Sequence, residues 1–234
     1  MLLRRTLHAC RHQRYLFSAY QKEFEASINN PEKFWGERAK KINWSKPPSI
    51  SLDSSKAPVY RWFPDATLNI TKLCLDDNLE RGDGKQVAYY YESPVTNTTD
   101  TITFERMHSR VNKLAHSLSR DFKVKKGDRV IIYMPMIEEA IVAMLACARI
   151  GAVHSVVFGG FSAEELGYRI SDTDAKLIIT ATAGKEPNRI IKYKPIVDEA
   201  IKISGASGVQ TIVFRRAIQP DFDKKSNDHD YSEV

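Results

Sequence analysis

Residues 128–181 read DRVIIYMPMIEEAIVAMLACARIGAVHSVVFGGFSAEELGYRISDTDAKLIITA, and the way apolar runs alternate with longer mixed runs decides the fold. Val130–Met134, Val153–Phe158 and Leu177–Thr180 are short, rich in β-branched residues and continuous rather than alternating. A strand without a polar side is covered on both faces, so the three are expected to be fully buried strands of a parallel sheet. Between the first two, Pro135 opens and Gly151 closes a helix over Met136–Ile150. It is apolar on nearly every side except at Glu138, Glu139 and Arg149, and so packs on the sheet. It is shorter than the roughly 20 apolar residues a membrane span requires. After Gly159-Gly160, Ser162-Ala163-Glu164-Glu165 forms a capping box, with the Ser162 hydroxyl and the Glu165 carboxylate each meeting an orphaned backbone N–H. The double glycine therefore lies in the strand-to-helix turn.

Outward from this stretch the pattern stays α/β. Phe104, Met107, Val111, Leu114, Ala115 and Leu118 recur at spacings of three and four, which makes Phe104–Ser119 an amphipathic helix. Val124–Asp128 turns from it into the first strand. Val87–Glu92 and Thr101–Thr103 flank a polar loop as a hairpin, and Asn69 caps a helix that runs to Leu79 and ends at Gly82-Asp83-Gly84. Two helices are expected between Ala19 and Lys41, the second with Asn30 as cap, Pro31 at its first position, and Phe34 and Trp35 as anchors. Trp44–Pro58 is a loop or extended arm, and the aromatic run Tyr60–Pro64 reads as that arm pinning itself to a core rather than as a base-stacking platform. Downstream, Thr182–Lys194 is a polar loop, a helix runs from Pro195 to Ile203, Thr211–Phe214 is a last strand, and Gln219–Val234 is a frayed polar end.

Composition narrows the function. The 234 residues, 42% apolar, suffice for a sizeable core. Much of the net charge of +6 is local: Met1–Tyr20 holds Arg4, Arg5, Arg11 and Arg14 among leucines with no acid, as in a mitochondrial presequence, against the alternative of a basic arm that binds nothing. Without those four arginines the charge is +2, which argues against nucleic acid as a partner. No apolar stretch suggests a secretory signal or a membrane partner. Cys10, Cys74 and Cys147 are too scattered for a disulfide framework and read as core fillers, and the histidines lack ligand spacing, so no metal site is expected.

Two places can hold an anion. Gly159-Gly160 precedes a helix N-terminus, but neither G-x-G-x-x-G nor G-x-x-x-x-G-K-[ST] is present, so a structural turn competes with a phosphate site. The loop Gly184-Lys185-Glu186-Pro187-Asn188-Arg189, with Lys192 and Lys194 behind it, follows the carboxyl end of a parallel strand, where open α/β sheets bind ligands. Arg189 can fork onto a phosphate. A solvated basic loop is the competing reading.

The run Tyr133–Ser162, YMPMIEEAIVAMLACARIGAVHSVVFGGFS, resembles the early part of the short-chain acyl-CoA synthetases, the acetyl- and propionyl-CoA-forming branch of the adenylate-forming enzymes. The likeness extends from about Phe24 to the end. Ser93–Thr98 and Glu186–Arg189 look most like the mitochondrial propionyl-preferring member, in keeping with a mitochondrial matrix location. The resemblance implies an incomplete N-terminal part of the large synthetase domain, with residues 1–18 as targeting segment, 19–64 as helical and extended arm, 65–220 as partial domain and 221–234 as a polar tail. It also implies a reaction in which a short-chain carboxylate and ATP give an acyl-adenylate, from which the thiol of coenzyme A displaces AMP. Glu186, Pro187, Asn188 and Arg189 match the position that contacts the nucleotide end of coenzyme A. Glu186 and Asn188 stand where an arginine and a glycine are usual, so Glu186 is expected to offer backbone contacts and Arg189 the charge. The sites for ATP and Mg, and every catalytic residue, are expected outside these residues. The rival readings are a non-catalytic module that keeps some coenzyme A affinity or serves as an interaction surface, and a dinucleotide-binding domain.

Overall fold

The computed structural model describes residues 18–186 and 189–234. The presequence-like residues 1–17, including Cys10, lie outside the described residues. The chain divides into two compact units, with the boundary between Leu68 and Asn69.

In the first unit, helix α1 (residues 18–29) is followed by α2 (Pro31–Ala39), whose N-cap is Asn30, its side chain accepting from the Lys33 N–H. The arm is less irregular than expected. β1 (Leu52–Asp53) pairs antiparallel with β2 (Arg61–Trp62), tied by an ion pair between Asp53 and Arg61. The aromatic rings close mainly on one another: Trp35 stands edge-on to Phe34 and to Trp62, and Trp44 lies against Phe63. Such contacts stabilise a short arm that has no large core of its own.

In the second unit, residues 70–80 are helical, with a π-helical stretch at Lys72–Asp76 and an α-helical end, α3 (Asp77–Glu80). The hairpin β3 (Val87–Ser93) and β4 (Thr98–Thr103) is longer and its turn tighter than the sequence suggests, with Asn97 at φ +50° carrying the reversal. α4 (Phe104–Arg120) turns its buried face, Met107, Val111, Leu114, Ala115 and Leu118, onto the sheet. Then follow β5 (Arg129–Tyr133), α5 (Glu138–Arg149), β6 (Val153–Val156), α6 (Ala163–Thr173), β7 (Leu177–Ala181), β8 (Ala183–Glu186), β9 (Arg189–Lys192), α7 (Tyr193–Ser204), β10 (Gln210–Phe214) and β11 (Asp228–Asp230).

Five strands form one sheet in the order β11-β10-β7-β5-β6, every neighbouring pair parallel. Alternate residues supply two cores. Val130, Ile132, Leu177, Ile179 and Ile212 meet α4 and α5, while Ile131, Tyr133 and Ile178 meet α6 and α7. Burial on both faces holds for β5 and β7 but not for β6, an edge strand that leaves Val153 and Val156 each 54% exposed. An edge has no neighbour to cover its outer flank, and His154 and Ser155 interrupt the apolar run of this one. Cys147 is a core filler as expected, its thiol pushed up to about 12 by burial, whereas Cys74 is exposed.

Two further expectations fail. The polar stretch after Ala181 is not a loop: β8 and β9 pair as an antiparallel hairpin that places Glu186 opposite Arg189, and α7 begins at Tyr193, two residues before Pro195. The end of the chain is not frayed either. β11 adds to the sheet, and its Asp228 and Asp230 are buried because Lys194 and Arg215 pair with them. Charge hid this strand, since a buried carboxylate is tolerated once it is paired.

Two outcomes follow. Asp228→Asn leaves the Lys194 ammonium, only 1% exposed, with one carboxylate fewer, and urea unfolding should show a loss of about 3 kcal/mol. Iodoacetamide at pH 8 should label Cys74 in the native protein and Cys147 only after denaturation, because a buried, protonated thiol is a poor nucleophile.

Candidate functional site

In an open parallel sheet the carboxyl ends of the strands are where loops diverge and a crevice opens. Here the loops leaving β6 and β7 turn toward the α6 and α7 face and enclose a cleft of about 400 Å³. One wall is the turn Gly159, Gly160 and Phe161 with Ser162, and the other is Glu186, Arg189, Ile190 and Lys192 of the hairpin. The two anion candidates in the sequence are thus two sides of one cleft. Ile191 and Ile196 supply apolar surface between them.

The glycine turn is built by packing. The Ser162 hydroxyl caps α6 by accepting from the Glu165 N–H at 3.4 Å. The reciprocal half of the capping box differs from expectation: Glu165 reaches Arg169 at 3.0 Å, and it is Glu164 whose carboxyl is lowered by a hydrogen bond from Ser162. Neither Gly159 nor Gly160 has a positive φ. Both are small because a side chain fills the space instead: a Cβ on Gly160 would lie 2.6 Å from the Phe158 ring, and one on Gly159 would strike the Tyr193 hydroxyl. The phosphate-approach role of a double glycine is therefore not what these two positions do.

The hairpin carries the charge. Arg189 is largely exposed and its Nε donates to Glu186 Oε2 at 2.8 Å. An exposed pair of this kind contributes at most about 1 kcal/mol, so a phosphate can displace the carboxylate at little cost. Lys192 is exposed at the cleft, but Lys194 is not an anion ligand: it is buried between Asp198 and Asp228. Pro187 and Asn188 lie outside the described residues. Behind the cleft stand two tyrosines that sequence reasoning passed over. Tyr133 shares its hydroxyl proton between the carbonyl oxygens of Gly159 (3.2 Å) and Phe161 (2.8 Å), and its ring lies 4.9 Å from that of Tyr193. Burial pushes the Tyr133 hydroxyl up to about 12, so it stays a donor throughout the physiological range. The only advance signal was Gly184, a glycine inside what proves to be a strand.

A second cleft, of about 420 Å³, opens on the α4 and α5 face. Its arginines are already engaged: Arg110 pairs with Glu138 and Glu139, Arg106 with Asp100, and Arg215 with Asp230, while the buried Arg216 donates to the Ala183 carbonyl. Among the described residues no group of three or more His, Cys, Asp or Glu side chains is placed to hold a metal, and no helix is long and apolar enough to cross a membrane.

Residues 76–231 match the family described as AMP-binding enzyme. The chain belongs to that family. Residues 20–74 separately match the acetyl-coenzyme A synthetase N-terminus. Over 197 residues the chain is 46% identical to acyl-CoA synthetase short-chain family member 3, mitochondrial, of Bos taurus, covering 84% of this chain and 29% of that protein. It is 46% identical over 198 residues to acetyl-coenzyme A synthetase of Yersinia pestis, covering 83% of this chain and 30% of that protein. The chain therefore spans under a third of the length of these relatives. Acetoacetyl-CoA synthetase from Streptomyces lividans shares the fold, with a TM-score of 0.75 at 24% identity over 89% of this chain and 31% of that chain. The resemblance to short-chain acyl-CoA synthetases and the incomplete α/β domain read from the sequence both hold.

Proposed function

We propose that this chain is the N-terminal portion of an ATP-dependent short-chain carboxylate–CoA ligase of the mitochondrial matrix, with propionate favoured over acetate, and that its cleft holds the nucleotide end of coenzyme A. The observation that carries the reading is the convergence of the Gly159–Ser162 turn and the Glu186–Arg189 hairpin on one cleft with an apolar flank and two exposed cations, Arg189 and Lys192. A nucleotide needs both features, a flat apolar surface for the base and charge for the phosphates. Arg189 supplies a fork that matches phosphate geometry, and Lys192 adds a mobile charge. Glu186 holds Arg189 in readiness and yields it when phosphate arrives. ATP and Mg bind through residues outside these 234, as do the groups that activate the carboxylate. The part played here is to bind and orient the thiol-bearing substrate, which lowers the entropic share of the barrier in the second half-reaction. The similarity of the first unit to an acetyl-coenzyme A synthetase N-terminus, and relatives named as mitochondrial, support this assignment.

Arg189→Ala should weaken coenzyme A binding by about 1.5–3 kcal/mol, the scale of a hydrogen bond to a charged group, as read by calorimetric titration. Unchanged affinity would contradict the site. Glu186→Gln should act in the opposite direction, tightening binding modestly by removing a carboxylate that competes for Arg189 and repels phosphate. Both effects should shrink as salt is raised.

A further inference from the structure

The cleft has two walls, and among the described residues no hydrogen bond joins residues 159–162 to residues 183–192. Both walls are backbone turns, which by themselves leave the width of the cleft undetermined. We infer that Tyr193 is the positioning residue that sets this width, its ring standing between the Gly159-Gly160 turn and the β8–β9 hairpin and bearing on the α-carbons of Gly159 and Gly184. The ligand named for the cleft rests on the coenzyme A reading, whereas the spacer does not.

The glycines report the contact from both sides. A Cβ on Gly184 would lie 2.5 Å from the Tyr193 hydroxyl oxygen and 2.7 Å from Cζ, and one on Gly159 would come closer still to the hydroxyl oxygen and within 2.8 Å of Cζ. Real Cβ atoms essentially never approach so near, so one phenol ring occupies the space of two absent side chains. Neither glycine is needed for its backbone angle, since neither has a positive φ. Their shared property is to let the same ring touch two chain segments.

Tyr193 is itself held in place. It is 6% exposed, its N–H donates to the Thr182 carbonyl at 3.0 Å, and its ring is backed by Tyr133 at 4.9 Å. Tyr133 in turn grips the glycine turn through the Gly159 and Phe161 carbonyls. The chain of contact thus runs from β5 through Tyr133 to the turn, and through Tyr193 to the hairpin that carries Arg189. What the Tyr193 side chain presents to both walls is the end of its ring, so it acts by shape. A site whose supporting contacts are loose loses binding even when every ligand-touching residue is present.

The test compares the unsubstituted 234-residue chain with Tyr193→Phe, Tyr193→Leu, Gly184→Ala and the Gly184→Ala/Tyr193→Leu double variant. Hydrogen exchange is followed without ligand, and coenzyme A affinity by titration. Tyr193→Phe should leave both readouts within about twofold, because the ring remains. Tyr193→Leu should speed exchange in residues 159–162 and 183–192 together while α4 and β5 keep their protection, and should weaken coenzyme A about tenfold through misplacement alone. Gly184→Ala should also loosen both walls, and adding Tyr193→Leu should recover part of that loss, because the clash and its partner are removed together. If exchange in the two walls stays unchanged in both Tyr193→Leu and Gly184→Ala, or if only one wall responds, the spacer is overturned. If the unsubstituted chain does not bind coenzyme A, the ligand assignment fails while the exchange pattern still decides the spacer.

Discussion

The parallel ladder of β5, β7 and β10 constrains everything around it, because its central strands have no side that can face water. Ile131 and Ile178 point one way, Ile132 and Ile179 the other, and all four are fully buried. A sheet of that kind requires helices on both faces, and parallel connections return each crossover to the same end. The loops that carry polar chemistry are thereby collected at the carboxyl ends of the strands. The cleft between the Gly159–Ser162 turn and the β8–β9 hairpin is a consequence of that arrangement.

Burial also sorts the charges. Lys194 and Asp228 are almost wholly enclosed and meet each other, which fastens β11 to α7 and removes Lys194 from any role with ligand. Arg149 grips Asp76 with both of its terminal nitrogens and ties the π-helical stretch to the end of α5. Arg106, Arg110 and Arg215 of the second cleft are consumed in the same way, and its buried Arg216 donates to the Ala183 carbonyl. The cations that line the cleft on the α6 and α7 face are Arg189, held by an exposed and easily displaced carboxylate, and Lys192. Charge that is cheap to release is the charge a ligand can use.

The buried strands, the amphipathic face of α4 and the capped start of α6 were legible in the sequence because each rests on local periodicity or on a short capping motif. Arg189 was an anion candidate in the sequence through its place after a parallel strand and through the family resemblance, and the fold sets it at the lip of the cleft. What escaped were features that depend on partners distant in sequence. β11 looked like a tail because its aspartates are neutralised by Lys194 and Arg215. The β8–β9 hairpin looked like a loop because Lys185 and Glu186 are polar and Gly184 lacks a side chain, a vacancy explained only once Tyr193 is seen to fill it. The exposed flank of β6 could not be told from a central strand, since strand order is not written in any one strand's composition.

The proposed role of the cleft is to hold the phosphate-bearing nucleotide end of coenzyme A. Titrating the chain with coenzyme A and, in parallel, with dephospho-coenzyme A, which lacks the 3′-phosphate, tests this most directly. Binding of coenzyme A that is clearly tighter than that of the dephospho form, with the gap narrowing as ionic strength rises, is the predicted result. Equal affinity for the two, or no binding of either, would contradict it.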